Sequence, residues 1–450
     1  MTSTAAPPRG VARELLLLAL PIIGVNLGMT LMGAVDTLMI GRVSAAALAS
    51  VALGNVLFFS FAMLGIGITL ALDPIISQAL GARDHLGVML GVQRGVVLAA
   101  LVALPLMALL MLGEWFAGAL RQPPELHHDV GVYTRILVPS VLPFLWFSVA
   151  RQTLQAMHRV APVVWVIVMA NLLNVILNKW LIFGGLGVAP LGVAGSAWAT
   201  TISRFAMLVG LLWIARRELL PQLHPFRAEA FHRDGIARMF RLGLPIGLQI
   251  EIEMVTFGAV AMLMGSFGTL QVASHQVALN LASLTFMVPM GVGMGAAVLV
   301  GRAVGREDPA AAKASAKAAL VLGVGFMCGT ALAFIAVPRF FASLYTTDVN
   351  VVAFAAVLLP LAGIFQVFDG LQVVAAGILR GLGDTRAPML INLVGFVVVG
   401  LGTSLYLAYR TTLGAVGLWW GLVIGLAAVA LILLLRVRVA LRRPMRRVQH

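Results

Sequence analysis

The stretch LPIIGVNLGMTLMGAVDTLMI, residues 20–40, carries one ionisable side chain, Asp36, among residues that are otherwise apolar, small or uncharged. About 20 such residues are what an α-helix needs to cross the hydrocarbon core of a bilayer. Similar runs recur along the 450 residues, of which 61% are hydrophobic and 11% charged, with a mean hydropathy of +1.01. An ordinary soluble domain is about 25% charged. A transmembrane barrel would alternate apolar and polar residues in segments of about ten. The run VLPFLWFSVA, residues 141–150, does not alternate, so the expectation is an all-α polytopic membrane protein. The opening MTSTAAPPRGVARELLLLALPIIG has the basic start of a signal peptide. Its apolar run continues past Pro21 to Ile40 without a small-residue cleavage site, which reads as a retained first span.

Twelve spans are expected, roughly at 17–40, 53–80, 93–113, 132–151, 163–183, 193–214, 242–264, 275–300, 315–337, 351–376, 388–408 and 416–435. With both termini cytoplasmic, Lys and Arg concentrate on the inner side, in the cluster 216–241 and in the tail RVRVALRRPMRR, as the positive-inside rule requires. The net charge of +14 thereby has a topological cause. The longest polar segment is only a connector, which argues against a nucleic-acid partner. A single cysteine, Cys328, excludes an intramolecular disulfide.

The chain also repeats. LPIIGVNLGMTLMGAV from Leu20 and LPIGLQIEIEMVTFGAV from Leu244 start alike, and SQALGARD ending at Asp84 matches GRAVGRED ending at Asp308. Pro21 and Pro245 are 224 residues apart, as are Asp84 and Asp308, so one register holds across two spans without a gap. Six spans per half is an even number, so both halves enter from the same side, an arrangement suited to rocking transporters. The expected organisation is a six-helix lobe over 1–215, a cytoplasmic connector over 216–241, a second six-helix lobe over 242–435 and a basic cytoplasmic tail over 436–450.

Five acids fall within the spans: Asp36, Asp73, Glu251, Glu253 and Asp369. An ionisable group at membrane depth costs at least about 2.5 kcal/mol and is a functional candidate by default. The repeat sharpens that argument, because Asp36 falls opposite Val260 and Glu253 opposite Met29. A scaffold feature would recur in both halves, and these acids do not. Glu251 and Glu253 lie about 200° apart around a helix and cannot share a face. Gln249 precedes Glu253 by one turn, while Gln366 and Gln372 flank Asp369. On the fifth span Asn171, Asn174 and Asn178 form one stripe, which suits either interhelical hydrogen bonding or cavity lining. His275 reads as a packing or capping residue, and Arg204 is a basic residue deep in a span with no partner evident from sequence. Phe286, Phe365 and Phe368 suit stacking on a flat organic cation, or core packing. The 21 methionines offer soft surface. The chain has no phosphate-binding Gly-Lys-Ser/Thr loop, His-Glu-x-x-His pattern or Gly-x-Ser-x-Gly elbow. An ATP-driven pump and a lipid-modifying enzyme are therefore disfavoured.

Four motifs, VDTLMIGRVSAAALA, ASHQVALNLASLTFMVPMGVG, FDGLQVVAAGILRGLGD and the pattern of Pro74, Ser77, Gln78, Gly81 and Ala82, resemble the multidrug and toxic compound extrusion (MATE) family in its bacterial NorM-like branch. The resemblance runs from about residue 12 to residue 435. It implies a V of two pseudo-symmetric six-helix lobes in the bacterial inner membrane. It implies export of cationic, lipophilic drugs in exchange for H⁺ or Na⁺, by a monomer among membrane lipids and without a cofactor. The family's acids match Asp36, Glu253 and Asp369, and its fifth-helix asparagines match Asn174 and Asn178. Asp348 matches an external position that carries acid in some members. Phe365 stands where some Na⁺-coupled relatives have tyrosine one turn before the acid. That departure, with the apolar neighbours of Asp36 and the lack of nearby oxygens beyond Thr37, favours H⁺ over Na⁺. Na⁺ at Asp36 or Asp369, with oxygens from Asn174, Asn178 and Gln372, is the alternative. Coupling-ion and substrate residues are thus expected to be Asp36, Glu253, Asp369, Asn174, Asn178, Phe365 and Gln372, with Glu251, Asp73, Asp348 and Phe286 in second line. The rival function is a lipid-linked oligosaccharide flippase, which would want a cationic cavity.

Overall fold

With no water in the bilayer core, every backbone N–H and C=O must be satisfied inside its own segment, so apolar runs of this length become helices. The computed structural model describes residues 9–185, 187 and 189–448; the first eight residues of the expected first lobe and the last two of the basic tail lie outside them. Among the described residues, twelve helices are long and apolar enough to cross a membrane. They are α1 Gly10–Ile40, α2 Ala45–Gly81, α3 His85–Leu110, α4 Pro124–Ala156, α5 Ala161–Phe183, α6 Gly192–Ile214, α7 Arg233–Gly265, α8 Thr269–Gly305, α9 Pro309–Ala336, α10 Val349–Gly381, α11 Arg386–Arg410 and α12 Ala415–Ala440. All twelve expected spans are present, and each begins earlier than its apolar run, by up to nine residues at α7.

Capping explains the earlier starts of α2, α3 and α9. Hydropathy registers only the apolar part of a helix, whereas the first turn ends where a side chain takes up the free N–H groups. Ser44 accepts from the Ala47 amide at 3.0 Å, Asp84 from Gly87 at 2.8 Å and Asp308 from Ala311 at 2.9 Å. Asp84 and Asp308, equivalent in the repeat, thus do the same work at the starts of α3 and α9. Within α4, Val138–Ser140 tightens to a 3₁₀ turn at Pro139, whose missing N–H interrupts the α-helical ladder.

The chain folds into two compact units that are not continuous in sequence. Of the described residues, one contains those from 9 to 23, 77–83 and 248–448; the other contains those within 24–76 and 84–247. Their glycines show why segments are exchanged. In the second unit a methyl group on Gly67 would lie 2.7 Å from the Gly247 nitrogen, so α2 and α7 meet backbone to backbone. In the first unit Gly291 likewise faces Ile23, but there a methyl group would meet the isoleucine side chain, 2.5 Å from Cγ1, and not its backbone. Each residue of the second pair is its counterpart in the first advanced or set back by the 224-residue register. Close approach at small residues is how membrane helices gain packing energy without a hydrophobic drive between them. The first unit's core gathers Leu15 and Ala19 of α1 with Val260, Leu358, Phe365 and Trp419.

Candidate functional site

Two sets of buried acids occur, one in each unit. In the unit containing 24–76, Asp36 is only 2% exposed. Asn178 of α5 donates to its Oδ1 at 2.5 Å and Thr200 of α6 donates to its Oδ2 at 2.8 Å. Asn174, one turn earlier, accepts from Asn178 at 3.1 Å and so aims its neighbour's amide at the carboxylate. The asparagine stripe therefore divides. Asn174 and Asn178, fully buried, serve Asp36, whereas Asn171 donates to the Gly28 and Ile167 carbonyls and ties α5 to α1. Thr37, the oxygen adjacent in sequence, is exposed and bonds back to Gly33. The polar groups bonded to Asp36 instead come from α5 and α6.

Sequence reasoning missed Thr200 and left Arg204 unpartnered. Both lie on one face of α6 with Ser196, four residues apart, and that polar stripe was the available signal. The Arg204 guanidinium donates to Ser140 Oγ at 2.9 Å and lies 3.7 Å from the centre of the Phe58 ring and 5.0 Å from that of Phe144. Asp36 and Tyr133 are the charged and titratable groups within its electrostatic reach. Tyr133 in turn donates to Asn55 Oδ1 at 3.0 Å.

In the other unit, Asp369 of α10 is 6% exposed and Glu253 of α7 is half-buried. The two carboxylates are within electrostatic reach of each other, and the Gln372 side chain hydrogen-bonds Glu253. Among the described residues no basic side chain contributes to either site. Asp369 Oδ1 and Gln372 Oε1 are buried acceptors without a donor among the described residues. Gln366 Oε1 is taken by the Thr285 hydroxyl and, at 3.4 Å, by that of Thr330. Asp36 thus has both oxygens bonded, while the Asp369 site keeps free acceptor capacity.

Phe365 is 2% exposed and packs edge-on against Phe257 and Trp419, with ring centres 5.8 and 6.0 Å apart, inside the apolar core. Phe286, Phe368 and Glu251 are half-buried. Asp73 is fully buried, within electrostatic reach of Arg151. Asp348 is exposed and caps α10, accepting from the Asn350 and Val351 amides at 2.9 and 3.2 Å. His275 is buried edge-on against Trp419, 5.6 Å between ring centres, so it packs and does not cap.

Because Glu253 joins Asp369 and Gln372 while Glu251 points elsewhere on the same helix, Glu253→Gln is expected to reduce transport by at least an order of magnitude more than Glu251→Gln. Initial efflux rates from vesicles holding matched amounts of each variant provide the check. Greater damage from the Glu251 substitution would show that the wrong face of α7 has been assigned.

An all-helical bundle that can cross the bilayer twelve times, with acids buried within its spans, is the construction of a membrane transporter. The MatE family model matches residues 21–180 and again 245–405, two stretches whose starts differ by the repeat's 224 residues, and the chain belongs to that family. It is 36% identical over 433 residues to the probable multidrug resistance protein NorM of Mesorhizobium japonicum, covering 94% of this chain and 93% of that one. Against the multidrug resistance protein NorM of Burkholderia vietnamiensis the identity is 35%, with 96% of each covered. The multidrug resistance protein MdtK of Pectobacterium atrosepticum is 33% identical, with 97% of each covered. Among solved structures, the eukaryotic MATE transporter AtDTX14 superposes with a TM-score of 0.87 at 22% identity, over 98% of this chain and 99% of that one. The fold is accordingly that of MATE transporters.

Proposed function

We propose that the protein is a secondary active multidrug exporter of the bacterial inner membrane, a monomer with both termini cytoplasmic. It expels lipophilic organic cations in exchange for inward-moving H⁺ by alternating access. The observation that carries this reading is the Glu253–Asp369 pair, two carboxylates in mutual reach with no base beside them. Such a pair requires a cation, and a proton and a drug's ammonium group compete for the same negative charge. Competition of that kind makes exchange obligatory, because whichever cation binds stabilises the conformation that holds it better. The membrane potential adds about 2.3 kcal/mol per charge per 100 mV. Names of relatives such as the NorM proteins support drugs as the cargo.

Na⁺ is the second reading, favoured by one observation: Thr200, Asn174 and Asn178 bring hydroxyl and amide groups to the Asp36 site, more than its own helix offers, and Asn178 Oδ1 has no donor among the described residues. A flippase for anionic head groups would need unneutralised buried cations. Arg204 and Arg151 each lie within reach of an aspartate, Asp36 and Asp73.

Ethidium-like dye efflux from proteoliposomes, with H⁺ and Na⁺ gradients imposed separately and the potential clamped, tests the proposal. An inward H⁺ gradient is expected to drive efflux at equal Na⁺. Efflux that needs inward Na⁺ at equal pH, and disappears when K⁺ replaces it, would overturn proton coupling in favour of Na⁺. Efflux under neither gradient would overturn the antiport reading.

A further inference from the structure

The acids of the two units also differ in their basic neighbours: among the described residues none is within electrostatic reach of Asp369 or Glu253, whereas Arg204 is within reach of Asp36. Arginine remains charged under all working conditions, so this positive charge is permanent. Its position is built. The residue lies one helical turn beyond Thr200, whose hydroxyl holds Asp36 Oδ2 at 2.8 Å. Ser140, in the 3₁₀ turn at Pro139, accepts its Nη1 at 2.9 Å, and Phe58 and Phe144 offer ring faces at 3.7 and 5.0 Å. These anchors direct the guanidinium hydrogen bond to Ser140 and leave the Asp36 oxygens to Asn178 and Thr200.

We propose that Arg204 is a tethered counter-cation of Asp36, which weakens the carboxylate's hold on its transported cation so that the cation is released in every cycle. The inference rests on the reading that Asp36 takes up a coupling cation. Unloaded, the buried carboxylate is compensated by two hydrogen bonds and by the nearby positive charge, so the empty state is accessible. Loaded, Asp36 and its cation are neutral together, and Arg204 remains as an excess charge in a low-dielectric interior. That excess disfavours H⁺ and Na⁺ alike, since the interaction depends on charge and distance alone. The charged and titratable groups facing this locus are Asp36 on α1 and Tyr133 on α4. Lys179 on α5 is exposed, and Asp73 on α2 interacts with Arg151.

The test measures dye efflux from proteoliposomes as a function of external cation, in a pH series and a Na⁺ series, reading half-saturation and maximal rate separately. Neutral variants Arg204→Gln and Arg204→Met are expected to lower the half-saturating concentration of the coupling cation about tenfold, equivalent to about one pH unit upward for H⁺. Their maximal rate is expected to fall, because release is slowed. Arg204→Lys, which keeps the charge, is expected to retain most of the wild-type half-saturation. An unchanged half-saturation in a folded neutral variant, or the same shift in the lysine variant, overturns the proposal. Should neither neutral variant fold, Ser140→Ala frees the guanidinium to approach Asp36 and is expected to raise half-saturation; no change there overturns it equally. Asp36→Asn separates the two levels. Normal cation-dependent efflux in that variant would remove Asp36 from coupling and the inference with it. Loss of efflux in Asp36→Asn, together with unchanged half-saturation in the Arg204 variants, would sink the inference alone.

Discussion

Asp369→Asn is expected to reduce coupled efflux to the level of protein-free vesicles while the protein stays inserted and folded. The amide has nearly the shape of the acid but cannot change charge, so it cannot exchange one cation for another. Stability gives an independent sign. Asp369 is 6% exposed; among the described residues Glu253 is the one charge in its reach and one of its oxygens has no donor. Removing one of two like charges from a low-dielectric interior relieves repulsion and desolvation. The thermal unfolding midpoint in detergent is therefore expected to stay level or rise in Asp369→Asn as efflux disappears. Wild-type efflux in the folded variant would refute the assignment of Asp369. Lost efflux with a collapsed midpoint would mean that the acid is structural.

The second large effect is expected where α2 crosses α8. A methyl group added to Gly305 would lie 2.8 Å from the Gln78 carbonyl carbon, and one added to Gly81 would lie 2.9 Å from that of Arg302. Gln78 and Arg302 are equivalent in the repeat, as are Gly81 and Gly305, so the crossing is reciprocal. Both obstacles are backbone, which no rotamer change moves aside, so the helices must separate. Overpacking of this kind costs about 1–3 kcal/mol or more. Gly305→Ala is expected to lower the unfolding midpoint by several degrees and Gly305→Val to prevent accumulation in the membrane. Gly325→Ala is the control, because nothing lies within 4 Å of its added methyl group. That helical site is expected to be neutral or up to about 1 kcal/mol more stable. Equal midpoints for the Gly305 and Gly325 variants would show that the crossing is looser than described.

The twelve helices, the repeat and the identity of the buried acids were legible in the sequence, because each depends on properties local along the chain. Apolar length sets whether a segment must be helical in lipid, and a charge inside such a segment is costly wherever the helix packs. Helix starts were less legible, since a cap such as Ser44 or Asp308 depends on side-chain geometry that hydropathy does not register. What surrounds each acid was decided only in three dimensions. Lipid and neighbouring helices are similarly apolar, so a helix face carries little information about which partner it meets. Asn171, Asn174 and Asn178 form one stripe by periodicity, yet the first ties α5 to α1 while the other two serve Asp36. Thr200 and Arg204 join that site from α6, 164 residues beyond Asp36 in the case of Thr200. Phe365 is adjacent in register to Asp369 but packs among Phe257 and Trp419. By itself the sequence determined how many helices span the membrane and which of them carry charge. The tertiary structure decided which charges meet, because that depends on the rotation and crossing of whole helices, which close glycine contacts such as Gly305 on Gln78 help to fix.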